Sequence, residues 1–278
     1  MLPYYEIPPL HLGPLTIHAF GVLVACAVLL GSWLANKRSE QLGLDVEITE
    51  GAAGYAIVVG FISAHLYSAI AYFPERIVAN PLYILKVWDG ISSFGGFVGG
   101  MCGVIYYLRV KRQVSFWAYG DAIMYGWCAA WIFGRLGCTV AFDHPGSVTT
   151  FFLGMPYPGD AELPAGIRHN LGFYEAIWAM FMTLLFWTQR NKKHFWGWYL
   201  IVYGIAYTPF RFSLDFLRAV DKRYFGLTPG QYAAIAMLTL TLVVFFKRRG
   251  ADSALEVLQD PMAGKRAPVP ASKKAKRR

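Results

Sequence analysis

The chain has 278 residues, of which 56% are hydrophobic and only 15% charged. A soluble domain carries roughly 25% charged residues, and several apolar runs here approach the roughly 20 residues that cross a bilayer core, so a soluble single-core domain is excluded and an integral membrane protein is read. The formal charge is +9, but no DNA- or RNA-binding motif accompanies it, so nucleic acid is not expected as a partner.

Seven apolar segments follow one another, at about 15–35, 51–73, 91–108, 116–134, 171–189, 196–217 and 229–246. The stretch before the first has no basic region and no small-residue cleavage site, which predicts a retained helix rather than a signal peptide. Basic clusters follow every second segment: Lys37 and Arg38; Arg109, Lys111 and Arg112; Arg190, Lys192 and Lys193; Lys247, Arg248 and Arg249. Basic loops mark the cytoplasmic side of a membrane. The expectation is an all-α polytopic membrane protein of about seven transmembrane helices, its N-terminus outside and its C-terminus cytoplasmic. Trp88, Trp117, Trp196 and Trp198 fall near segment ends, where aromatic belts form.

Within the third segment Gly95, Gly99 and Gly103 recur at four-residue spacing, with Gly96 and Gly100 on the next stripe. Such spacing lets helix backbones approach closely; a backbone left accessible to a lipid substrate is the other reading. The longest connection, about 138–170, lies on the outer face and is rich in Gly and Pro. An ordered loop region is expected there, functional or a plain linker. From Lys247 onward ten Lys and Arg stand against three Asp and Glu. Residues 250–278 are therefore expected as a basic, disordered cytoplasmic tail that touches anionic lipid headgroups, and residues 1–249 as the transmembrane domain.

The four cysteines are Cys26, Cys102, Cys128 and Cys138. The first three lie inside apolar segments and behave as small hydrophobes. No CxxC spacing occurs, so neither a zinc site nor a disulfide framework is expected.

Ionisable residues in or capping a span are costly and point to function. Arg135 closes the fourth segment at the outer face. Arg211 lies in the sixth, within "YTPFRFSLDFLR", with Asp215 and Arg218 beyond it at spacings that share one helix face. One reading is an intrahelical ion ladder, which leaves a cation in excess. The other is a phosphate clamp formed by Arg135 and Arg211, since guanidinium pairs bidentately with phosphate. Pro209 predicts a kink beside Arg211, and Tyr207 sits one turn before Arg211. Asp143, His144, His169 and Glu175 add acid–base capacity on the same side. Glu175 is placed in the first turn of the fifth helix, where a carboxylate also suits the helix dipole. A membrane protein that binds lipid or peptide without catalysis, or a transporter, is the competing class. Charges gathered toward one face and no visible repeat favour an enzyme over a transporter.

Several stretches carry a resemblance. "HLGPLTIHAFG", "GISSFGGFVGG", "GRLGCTVAFDHPG", "RHNLGFYE" and "FRFSLDFLRAVD" followed by "LTPGQ" occur in that order. Over residues 11–232 the chain resembles the prolipoprotein diacylglyceryl transferases of the bacterial inner membrane. The resemblance implies transfer of a diacylglyceryl group from phosphatidylglycerol to the lipobox cysteine thiol of a preprolipoprotein signal peptide, the first step of bacterial lipoprotein maturation. Glycerol phosphate leaves, and no cofactor or metal is implied. Arg135 and Arg211 match the family's essential arginines, Gly146 a signature glycine, and Tyr207 the tyrosine before the second arginine. His169, Tyr174 and Glu175 match a His–Pro–x–x–x–Tyr–Glu stretch in which Asn170 replaces the proline.

The chain also departs from the family pattern. Cys138 stands where an asparagine is usual, Asp143 where a glutamate is, Phe20 where a tyrosine is common, and Phe94, before Gly95 and Gly96, where the histidine proposed as general base is. Three outcomes stay open: His144 with Asp143 supplies the base, positioning and phosphate stabilisation suffice, or the chain is a paralogue of altered specificity or without catalysis. Arg135, Arg211, Asp143 and His144 are the expected catalytic residues. Tyr207, Gly146, His169, Tyr174, Glu175, Arg218, Cys138, Phe94, Gly95 and Gly96 are the expected substrate-binding residues.

Overall fold

The computed structural model describes residues 1–4, 7–13, 15–87, 89–220 and 223–249. Trp88 and the basic tail 250–278 lie outside the described residues. The described chain is predominantly helical, and each of the seven apolar segments forms a helix: α1 Ala19–Leu42, α2 Val46–Ala71, α4 Ser93–Tyr106, α5 Phe116–Ala141, α6 Leu171–Gln189, α7 Trp198–Leu214 and α8 Pro229–Arg248. A short α3, Pro74–Ala79, lies in the connection between the second and third of them. Four helices, α1, α2, α6 and α8, are long and apolar enough to cross a membrane. Their outward side chains are apolar too: Leu29, Phe181 and Leu240 are each more than 60% exposed, as suits helices whose solvent is lipid.

The predominantly helical architecture agrees with an all-α membrane protein, with five short strands beside the helices among the described residues. One expectation is corrected here. The connection 138–170 is not a loop throughout: α5 runs on to Ala141, so Arg135 and Cys138 sit within helix, and an antiparallel sheet follows. Lys37 and Arg38 likewise lie inside the last turns of α1 rather than in a loop. Arg38 is buried and donates to the Arg190 carbonyl at 2.8 Å and the Tyr199 hydroxyl at 3.3 Å, so this basic residue ties helix ends together.

The described residues fall into two compact units, one of residues 1–50 with 117 to the end of α8, the other of residues 51–116. In the first, α1 and α5 meet through small residues: a Cβ on Gly126 would come within 2.8 Å of the Ala35 nitrogen. Cys128, Met182, Phe186, Tyr199 and Tyr203 form a buried cluster joining α5, α6 and α7. Asp121 of α5 accepts from the backbone N–H groups of Gly197 (2.8 Å), Tyr199 (2.9 Å) and Leu200 (3.3 Å). It thereby satisfies orphan donors at the start of α7, a helix with no side-chain cap of its own.

The sheet belongs to the same unit. Strands β3 Pro145–Val148, β4 Met155–Tyr157 and β5 Gly166–Asn170 pair antiparallel in the order β3-β5-β4. Pro145 lies opposite Asn170, and Met155 opposite Arg168. Asn170 caps α6 by accepting from Phe173 N–H at 3.1 Å, and its amide donates to the Thr139 carbonyl at 3.0 Å. The sheet is thus fastened to the end of α5 and the start of α6. A hairpin, β1 Leu10–Leu12 with β2 Leu15–Ile17, precedes α1.

In the second unit α2 and α4 pack along the glycine stripe. A Cβ on Gly95 would lie 2.7 Å from the Ser63 carbonyl, and one on Gly103 2.7 Å from that of Tyr55. Gly96 lies against α2 as well, while Phe94 is exposed with its ring 5.2 Å from that of Tyr67. A π-helical turn, Tyr107–Lys111, extends α4.

Candidate active site

The last turns of α5, the start of α6 and the second half of α7 bring three groups of polar side chains into the first unit. The first group is Arg135, Glu175 and Tyr207. Glu175 is fully buried, and its Oε2 accepts from the Tyr207 hydroxyl at 2.9 Å. The same oxygen lies 2.9 Å from Arg135 Nε, yet that N–H does not point at it. The contact is therefore one of charge rather than a directed hydrogen bond. Arg135 also lies over the Trp131 ring, its Cζ 4.4 Å from the centroid, and its Nη1 is 3.9 Å from Cys138 Sγ. Glu175 sits beyond the first turn of α6, which begins at Leu171 and has no acidic residue there. Its role as a first-turn dipole carboxylate is thus corrected: it compensates a buried guanidinium from another helix instead. Gly172 allows that approach, since a Cβ there would meet Cys138 Cβ at 2.9 Å.

The second group centres on Asp215, which is 1% exposed. Its Oδ1 pairs with Arg211 Nη1 and lies 3.4 Å from Arg218 Nε, while Oδ2 accepts from the Thr228 hydroxyl at 2.7 Å. The three charged residues do pair as their spacing predicts, but not on one continuous α-helix. α7 ends at Leu214, Asp215–Leu217 form a 3-10 turn, and Arg218 is extended. Thr228 is also the N-cap of α8, in a capping box with Gln231. Asp215 is therefore a structural anchor as well as a counter-charge. Tyr207 and Arg211 lie one turn apart on α7, so the same helix supplies a member of each group.

The third group lies between α5 and the sheet. His144 Nδ1 is 3.0 Å from Asp143 Oδ1. The turn after α5 folds these neighbouring side chains together, although Nδ1 is not aligned with the carboxylate. His169 Nδ1 lies 2.7 Å from the Tyr174 hydroxyl, and burial lowers the His169 pKa below its ordinary 6.5. Gly146 holds the sheet against the second group. It bridges to the Arg218 backbone, and its carbonyl accepts from Arg168 at 3.2 Å. A Cβ there would sit 2.7 Å from His169 Cβ and 3.0 Å from the Leu217 carbonyl, so only glycine fits.

Comparison with known proteins completes the picture. The family model of the prolipoprotein diacylglyceryl transferases matches residues 9–247. The chain belongs to this family. It is 28% identical to the phosphatidylglycerol–prolipoprotein diacylglyceryl transferase of Chromohalobacter salexigens, covering 91% of this chain and 98% of that protein. The enzyme of the same name from Bacillus cytotoxicus is 26% identical, covering 91% and 96%, and that from Thermus thermophilus 28%, covering 84% and 93%. Membership makes the chain a transferase of lipoprotein modification.

Among the expected site residues the structure brings together Arg135, Glu175, Tyr207 and Cys138, and separately Asp143 with His144, Arg211 with Arg218 through Asp215, and Gly146 with His169 and Tyr174. Phe94, Gly95 and Gly96 belong to the other unit. Among the described residues no three His, Cys, Asp or Glu side chains converge to hold a metal ion. Trp131 and Asp215 were not expected as parts of the site. For Asp215 the signal was present in its spacing from two arginines; for Trp131 only its place one turn before Arg135 could have suggested it.

Proposed function

We propose that this transferase moves the diacylglyceryl group of phosphatidylglycerol to the lipobox cysteine thiol of a preprolipoprotein. The single observation that carries this reading is a pair of partly buried guanidinium groups, Arg135 and Arg211, each compensated by one buried carboxylate, Glu175 and Asp215. A phosphate between them gains charge-assisted donors in a site of low dielectric.

The chemistry follows. The substrate thiol loses its proton, since the thiolate is the nucleophile. The sulfur attacks the glyceryl carbon, an S–C bond forms, and the C–O bond to phosphate breaks with its electron pair leaving on glycerol phosphate. Arg135 and Arg211 hold the charge that grows on the leaving oxygen. His144, whose Nδ1 lies beside the Asp143 carboxylate, takes the thiol proton. Tyr207 and Glu175 set the orientation of Arg135, and Gly146, His169 and Tyr174 fix the sheet that borders the site. Phe94, Gly95 and Gly96 contribute to lipid binding from α4, and Cys138 places a small thiol beside Arg135. The protein lies in the bacterial inner membrane with seven helices crossing it, residues 1–249 forming the transferase and the basic tail resting on anionic headgroups on the cytoplasmic side.

The test is complementation of a strain depleted of its own diacylglyceryl transferase, read by the gel shift of a model prolipoprotein. Wild type should restore lipidation, and Arg135→Ala and Arg211→Ala should not, although both insert in the membrane. Normal lipidation by both variants would remove the phosphate-holding role. His144→Ala then tests the base.

A further inference from the structure

Trp131 lies outside every stretch that carries the family resemblance, yet it touches the residue on which the proposed chemistry turns. Trp127, Trp131 and Arg135 follow one another at four-residue spacing on one face of α5. The two indoles stack with centroids 5.0 Å apart and planes 28° apart, and the Arg135 guanidinium continues the stack at 4.4 Å. Trp127 packs on the buried cluster of Cys128, Met182 and Phe186. The stack thus runs from the core of the unit to the guanidinium.

A second observation is independent of the first. Trp131 Nε1 is buried and has no hydrogen-bond partner among the described residues. A buried indole N–H usually finds an acceptor, because leaving it unmade costs more than an ordinary hydrogen bond contributes. Arg135 Nε is in the same condition, close to Glu175 but not directed at it. A π face attracts a cation without consuming any of its N–H donors. Arg135 is therefore fixed by a ring face, by charge and by the weak contact of Nη1 with Cys138 Sγ, and its Nε–H remains for an incoming oxyanion.

We propose that Trp131 is a positioning residue for Arg135, and that its indole N–H is a further donor to the phosphate-bearing headgroup of the lipid substrate. The inference rests on the reading of Arg135 as a phosphate-holding arginine. It adds a neutral donor beside a charged one, so that headgroup oxygens are fixed in direction as well as attracted.

The full-length enzyme in vesicles containing phosphatidylglycerol, with a lipobox peptide as acceptor, provides the test. Trp131→Leu retains apolar bulk but removes both ring face and N–H; Trp131→Phe keeps a smaller face and removes the N–H. Trp131→Leu should raise KM for phosphatidylglycerol about tenfold and lower kcat, with KM for the peptide unchanged. Trp131→Phe should recover kcat to within about threefold of wild type while KM for the lipid stays raised. A Phe variant with wild-type KM overturns the proposal, whether or not the Leu variant folds. Equal losses of kcat in both variants with KM unmoved also overturn it, since that marks a merely structural role. If Trp131 variants behave as wild type while Arg135→Ala is inactive, only this inference fails. If Arg135→Ala is active, the reading beneath it fails.

Discussion

Glu175 carries two demands on one oxygen. Oε2 takes a directed hydrogen bond from Tyr207 and the charge of Arg135, inside a helix where it is nearly inaccessible to solvent. Removing one partner of a buried pair leaves the other charge uncompensated, which costs far more than the pair gained by forming. Glu175→Gln keeps the shape and the acceptor but deletes the charge. It should lower the lipidation rate about 100-fold, with membrane insertion preserved. Tyr207→Phe deletes a single directed bond and leaves the ion contact in place. Its effect should be smaller, about three- to tenfold. Rates measured on a lipobox peptide check both, and a Tyr207→Phe loss exceeding that of Glu175→Gln would mean that the hydroxyl meets the substrate directly. The same logic explains why Asp215 is worth distinguishing from Glu175. Asp215 also serves the cap of α8 through Thr228, so its replacement disturbs a helix start as well as two arginines.

The sheet β3-β5-β4 carries a histidine whose burial links its stability to pH. His169 lies on β5, against Tyr174, and burial disfavours its charged form. Its folded pKa is therefore below the unfolded value of about 6.5. The unfolded chain takes up this proton first as pH falls, so the stability it contributes is present above about pH 6.5 and is lost as pH drops through the folded value. Thermal unfolding in detergent should show a lower midpoint at pH 5 than at pH 7.5, and His169→Gln should flatten that difference. This sheet also marks what the sequence could and could not reveal. The seven helices are legible because each is a long apolar run, and α6 begins and ends where its hydropathy does. The strands are three to five residues long, rich in Gly and Pro, and show no clear alternation, so no periodicity distinguishes them from loop. Arg135, Tyr207 and Glu175 are each recognisable by their motifs, but their meeting on one oxygen depends on how three helices pack. Asp121 is visible as an acid in an apolar run; that it caps α7 across the unit depends on packing too.

At the scale of the whole molecule the number of crossings decides which side each terminus faces. Four helices satisfy a strict test of length and apolarity, and an even number of crossings would put both termini on one side. Seven crossings put them on opposite sides. The three remaining helices fall short of that test, each for a physical reason, and seven crossings are what the proposed reading requires. α4 has 14 residues, but the π turn that continues it carries the helical run to residue 111. α7 has 17 residues and is prolonged by the 3-10 turn to residue 217. Both runs then approach the roughly 20 residues a bilayer core requires. α5 is long enough at 26 residues, and its ionisable side chains are compensated: Asp121 by backbone donors of α7, Arg135 by Glu175. The basic clusters after alternate helices agree with an odd count. Reporters fused at the two ends of the full chain should therefore give opposite results, a C-terminal fluorescent protein active in the cytoplasm and an N-terminal tag accessible only from outside. Arg38 sharpens the same experiment. Because it is buried against the Arg190 carbonyl, its orienting charge can be removed only at a cost to helix packing. Lys37, exposed beside it and paired with Glu40 at 3.0 Å, can be replaced freely. Lys37→Gln should leave both reporters unchanged, since the remaining clusters still orient the chain. Reporters on the same side would reject seven crossings and favour the even count.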